Sequence, residues 1–156
     1  MESGEIRDGA IEASDSFLLF PAANARLNGD GAWAAHDFYG IPPFTDPTTQ
    51  WIQANIGYET NVSAVITQGD GGAGILADGW VRSFKVSTFL SADGNEMFVM
   101  NQTDGTAMIF PGNTDINTKV TTNFPEPVYA RIVRITCLSG INGQYALRFE
   151  LVGCKI

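Results

Sequence analysis

The sequence predicts an all-β fold, a sandwich or jelly roll of about eight short antiparallel strands. Three observations carry that expectation. Short runs of β-branched and aromatic residues recur along the chain, glycine, proline and Asp-Gly turn signals separate them, and no segment holds a helical period over three turns. Residues 62–68 are a β-branched run. Residues 84–90 partly alternate and then meet Ala92-Asp93-Gly94-Asn95, where Asp-Gly supplies the positive φ of a tight turn, so 96–100 is expected to return alongside. Runs at 106–110, 119–124 and 128–136 continue the pattern, and 145–152 completes it. Pro111, Pro125 and Pro127 are expected at run boundaries, because proline cannot donate to a ladder. If 131–137 and 145–152 form a hairpin, Cys137 faces residue 145, far from Cys154. A disulfide needs Cα atoms within about 7 Å, so a 137–154 bridge is not expected. There is no internal repeat and no linker.

Length and charge narrow the function. A chain of 156 residues makes one domain, 1–156, large enough to bury about 68–70% of its unfolded surface. No apolar run approaches the ~20 residues that cross a bilayer, and the start lacks the basic and apolar pattern of a secretory leader. Seventeen acidic against nine basic residues give a net charge of −8. That balance argues against nucleic acid, whose phosphates need lysine and arginine.

Catalysis has little to work with. His36 is the one histidine, so a histidine metal cluster and a His-x-x-x-His pair are both excluded. A Ser–His–Asp arrangement would have to use His36 from a glycine- and proline-rich stretch with no nucleophile-elbow motif. Cys137 ends a run of strand character and reads as a small core residue rather than a nucleophile. No pair of carboxylates stands out for glycosidic chemistry. The chain is expected not to be an enzyme.

Five segments share a further likeness: Trp51-Ile52-Gln53, Thr67-Gln68-Gly69, Trp80 through Val86, Ala130-Arg131-Ile132-Val133-Arg134-Ile135, and Ala146 through Cys154. Together they resemble the discoidin domain, the type C domain of coagulation factors V and VIII, with its lactadherin and neuropilin branches. The resemblance runs nearly end to end. It implies a rigid galactose-binding-like sandwich that does no chemistry and binds ligands with three loops at one end. It also implies that Trp33, Trp51 and Trp80 are packing residues, and that Arg26, Arg131, Arg134 and Arg148 belong to the framework. Met1 to Ile6 resembles the internal opening of such domains, and Cys154 matches a closing cysteine whose usual partner would precede Met1. The expected setting is therefore extracellular, as a module of a longer secreted or surface protein.

On this likeness the first loop reads Ser14 to Pro21 and carries Phe17, Leu18, Leu19 and Phe20. The second lies between Trp33 and Trp51, with Phe38, Tyr39 and Phe44; the third lies between Gly69 and Trp80, with Ile75 and Leu76. Apolar side chains at three tips on one rim would form a patch that soluble proteins seldom carry without a partner. In coagulation-factor and lactadherin relatives such tips enter phospholipid membranes. Four to six inserted side chains at about 1.5–3 kcal/mol each give on the order of 10 kcal/mol before ordering costs. Asp15, Asp37, Asp46, Asp70 and Asp78 oppose this near an anionic leaflet, at about 1 kcal/mol each. Insertion wins narrowly, so membrane phospholipid is the leading expected partner. A cell-surface glycan is the alternative, met by His36, Asp37, Asp46 and Asp70 with an aromatic ring stacking on the sugar. A protein receptor donating a basic peptide end is the third. Calcium is a candidate cofactor through Asp37, Asp46, Asp70 and Asp78, although no EF-hand spacing is present. Asn61-Val62-Ser63 and Asn101-Gln102-Thr103 are glycosylation sequons.

Overall fold

The computed structural model describes residues 1, 3–35, 50–73, 78–142 and 144–156. Within them the chain forms eight strands: β1 Ile11–Ala13, β2 Trp33–Ala34, β3 Trp51–Gln68, β4 Val81–Phe89, β5 Met97–Phe98, β6 Phe110–Pro111, β7 Val120–Gly140 and β8 Ala146–Lys155. All of the strand pairings are antiparallel, in the order β2-β8-β3-β7-β4-β5, with β1 on β3 and β6 on β4.

Two strands are much longer than their sequence runs suggest. The runs 119–124 and 128–136 are one strand, β7, and 62–68 is only the second half of β3. Each long strand is interrupted without ending. In β3 the register shifts between Asn55 and Thr60, around Gly57 at φ 88°, a left-handed conformation that suits a residue without Cβ. In β7 the partners jump from Asn123 to Val128, and Pro125 and Pro127 fall in that break. The prolines therefore sit inside a strand rather than at its boundary, but where the ladder has lost register and no donor is needed. Pro111 likewise lies within the two-residue β6, and the run 106–110 pairs only at its end and through a Met100–Ala107 bridge.

The proposed hairpin of β7 with β8 does not form. Both strands flank β3 instead, β7 on one side and β8 on the other. Cys137 lies opposite Phe84 of β4, fully buried, while Cys154 is exposed, and both thiols are free. This corrects the expected neighbour of Cys137 and leaves no 137–154 bridge.

The bend in β3 folds the sheet over one core. Ile52 and Ala54 from its first half and Val62 and Val65 from its second join the same buried cluster as Trp33, Phe84, Ile135, Leu147 and Phe149. Each such side chain contributes roughly 1.5–3 kcal/mol of apolar burial. The same fold brings both ends of β3 to one pole. Its start pairs with the end of β7 and its finish pairs with the start of β8, and only residues 141–145 separate β7 from β8.

Candidate loop-pole binding site

The first loop leaves β1 and is fastened at its root. Ser14 N–H donates to Trp51 O at 2.9 Å, and Ser14 Oγ donates to Gln50 Oε1 at 3.0 Å. Trp33 is buried and gives its indole N–H to Asp15 O at 2.8 Å. Beyond this the chain makes a tight turn, with Phe20 N–H donating to Phe17 O at 2.8 Å. Phe17 N–H donates to Ala34 O and Ala34 N–H donates to Phe20 O, so the turn is strapped to β2 at both ends. A turn held this way points its flanking side chains at the body and its central pair outward.

The four apolar residues divide accordingly. Leu18 is 91% exposed and Leu19 61%. Phe20 is 3% exposed and Phe17 is half-buried, their rings stacked 6.2 Å apart. Phe20 packs with Ala34 and Ala146, so it anchors the loop and is not available as a contact residue. That corrects its expected role at the tip.

The third loop starts at the same place. Ala73 packs on the Phe20, Ala34 and Ala146 cluster beside Phe17, so the first and third loops share a footing. The second loop is anchored there too. Ala35, before it, donates its N–H to Tyr145 O, and Gln50, after it, accepts from Cys137 N–H. Three connections therefore spring from one pole. His36, Asp37, Phe38, Tyr39, Phe44 and Asp46 of the second loop lie outside the described residues, as do Ile75 and Leu76 of the third.

The neck of the third loop is a buried polar clamp. Asp70 is 1% exposed. Its Oδ1 accepts from Gly72 N–H at 3.0 Å, its Oδ2 accepts from Gly79 N–H at 2.9 Å, and its own N–H donates to Gly79 O. Burial raises the Asp70 carboxyl above its usual range, the two backbone donors pull it back, Asp78 adds to the rise, and Arg148 offsets part of it. Arg148, 4% exposed, holds the other side of the neck. It donates to Gly69 O at 2.8 Å, to Gly29 O at 3.0 Å, and to Ile116 O and Asn117 Oδ1 at 3.0 Å. Gly71, at φ 71°, lies so close that a Cβ there would stand 2.7 Å from the guanidinium.

Asp70 is thus a buried structural clasp, not the exposed polar rim residue expected of it. Each of its oxygens already accepts a backbone N–H of the neck. Asp78 is exposed. Among the described residues no three His, Cys, Asp or Glu side chains gather in a way that could hold a metal. A cleft of about 530 Å³, lined by Ile56, Tyr58, Thr60, Val62 and Lys155 among others, surrounds the β3 bend and includes no loop-pole residue.

Two contributors were not singled out in the sequence. Segment 115–118 backs the third loop: Ile116 O accepts from Gly71 N–H, and Asp115 Oδ1 accepts from the N–H groups of Asn117 and Thr118. The small pair Ala34 and Ala146 makes the floor on which Phe20 and Ala73 rest. Asn113, just upstream, supports the first of these. Asn113 is buried, and its Nδ2 ties Thr67 O to Thr118 O.

Trp33, Trp51, Arg26, Arg134 and Arg148 behave as framework, whereas Arg131 does not join it. Trp51 lies under the Arg134 guanidinium, 4.0 Å from ring centroid to carbon, and Arg134 also donates twice to Gln53 Oε1. Arg26 donates to Ile6 O at 2.8 Å and pairs with Asp8, while Arg131 stays exposed.

The family model of the F5/8 type C domain matches residues 10–151, nearly the whole chain. The chain belongs to that family. Along its full length it is 33% identical over 159 residues to Neuropilin-1a of Danio rerio and 33% identical over 169 residues to lactadherin of Sus scrofa. It spans 16% and 37% of the lengths of those two proteins. Among solved structures it is similar to discoidin II of Dictyostelium discoideum, with 25% identity and a TM-score of 0.73 over 94% of this chain and 55% of that one. The F5/8 type C fold expected from the sequence is thus the fold observed.

Proposed function

We propose that this F5/8 type C domain is a non-catalytic extracellular recognition module that binds membrane phospholipid through apolar side chains at its loop pole. The exposed Leu18-Leu19 turn carries this reading, because two adjacent leucines held into solvent by a strapped turn have no packing role. Fully transferring both from water supports about 3–6 kcal/mol. That is less than the sequence alone suggested, since Phe20 and Phe17 stay with the body. The opposing charge is also smaller. Asp70 is buried in the clamp and does not face a leaflet, so of the three loop aspartates among the described residues only Asp15 and Asp78 oppose insertion. Ile75 and Leu76 follow Ala73 in sequence and are assigned to the same contact.

Liposome co-sedimentation tests this. The wild type should bind phospholipid vesicles with little dependence on added salt, and Leu18→Ser/Leu19→Ser should lose about 100-fold or more in affinity. Steep loss of wild-type binding with salt would overturn the apolar mechanism. A glycan array run in parallel, with and without calcium, identifies the competing ligand: sugar binding that survives Leu18→Ser/Leu19→Ser would replace the lipid reading.

A further inference from the structure

The two sequons have different structural settings. Asn61 lies within β3, opposite Tyr129 of β7 and Cys154 of β8. Its Oδ1 is buried, and Ser63 Oγ donates to Val152 O at 3.3 Å, so both polar ends of that triplet lie along the sheet. Asn101 instead opens the turn between β5 and β6. Its N–H donates to Thr106 O, its carbonyl accepts from Gly105 N–H, and residues 102–106 are exposed. Its side-chain Oδ1 accepts from Thr103 N–H at 2.9 Å. Among the described residues no hydrogen bond engages its Nδ2.

That turn stands beside an open sheet edge. β5 ends the strand order, residues 106–108 pair only with 99–101 just beyond it, and Leu90, Met97, Phe98, Met100 and Ile109 are all exposed. An unpaired edge with apolar side chains is a template for pairing with another chain unless something covers it. We infer that Asn101, and not Asn61, carries an N-linked glycan, and that this glycan shields the β5 edge. The donor is a lipid-diphosphate-linked oligosaccharide. Nδ2 attacks its anomeric carbon, and a C–N bond replaces the C–O bond to the diphosphate. The diphosphate leaves with the electron pair, and Nδ2 gives up one proton.

The inference rests on the extracellular reading, so the experiment imposes the route. The chain is secreted from eukaryotic cells behind a heterologous signal peptide, and intact mass is measured before and after peptide-N-glycosidase. The expected result is a glycosidase-sensitive mass increase that persists in Asn61→Gln and disappears in Asn101→Gln. Peptide mapping of the wild type locates the modification without relying on variants that fold poorly. A secreted wild type without a glycan at 101, or with its glycan at 61, overturns the site regardless of where the native protein resides. Light scattering reads the shielding: enzymatically deglycosylated protein should self-associate while the glycosylated form stays monomeric. Equal monomer content in both would overturn that role.

Discussion

The tip of the first loop and the neck of the third sit at one pole and reverse the usual placement of polar and apolar groups. At the tip, two leucines face solvent; at the neck, an aspartate and an arginine are buried. Backbone geometry explains both. A strapped turn has to project its central pair, whatever their hydrophobicity. A loop that leaves and re-enters at one point converges N–H and C=O groups that need partners, and Asp70 and Arg148 supply them. On the proposed reading, exposure at this pole serves recognition while burial serves architecture, although the residue types suggest the opposite.

Substitutions sharpen that contrast, beginning inside the four-residue turn. Phe20→Ala should lower stability by about 3–5 kcal/mol, as expected for emptying a buried aromatic site. Chemical denaturation would show this, and a cost near zero would mean the turn is not anchored as described. Asp70→Ala should cost about 1–3 kcal/mol, because it strands the N–H groups of Gly72 and Gly79. Gly71→Ala should cost about 1–2 kcal/mol from its left-handed backbone alone, and more if Arg148 has to shift. Leu18→Ser/Leu19→Ser should change stability by no more than about 0.5 kcal/mol per site, with the whole effect appearing in ligand binding.

Acid titration separates the clamp from surface aspartates. Burial raises the Asp70 carboxyl, so the folded state takes up its proton at higher pH than the unfolded chain does. Its stabilising contribution is full below the unfolded value of 3.8 and is lost as pH rises through the higher folded value. Asp104 and Asp115 run the other way. Hydrogen bonds from Thr106 and Thr118 hold them low, so their contribution is present above 3.8 and is lost as pH falls through the folded value. The stability advantage of wild type over Asp70→Asn should therefore widen as pH falls toward 3.8. A constant difference across that range would place Asp70 in contact with solvent.

Much of the fold was legible because strand runs and turn signals are local. Residues 84–90 and 145–152 needed only composition and punctuation to be read as strands. The long-range parts were not legible. β7 and β8 are consecutive strands, which usually pair, yet β3 lies between them, and only tertiary register reveals it. Pro125 and Pro127 suggested an ending where the chain makes a register break. The site divided in the same way. Phe17-Leu18-Leu19-Phe20 has no periodicity to assign sides, and three backbone hydrogen bonds, one across the turn and two to Ala34, set its middle outward. Asp70 sits in Gly69-Asp70-Gly71-Gly72, which reads as a solvated turn. The neck around it is held by Arg148 and Ile116, distant in sequence and adjacent only once the sheet has closed.

An environment-sensitive fluorophore at the first-loop tip tests the lipid contact most directly. Leu18→Cys in a Cys154→Ser background offers one accessible thiol, since Cys137 is buried. On phospholipid vesicles the emission should shift to the blue and be quenched by spin labels on the acyl chains. A protein that sediments with vesicles while this probe keeps its aqueous spectrum would show that the Leu18-Leu19 turn is not what enters the membrane.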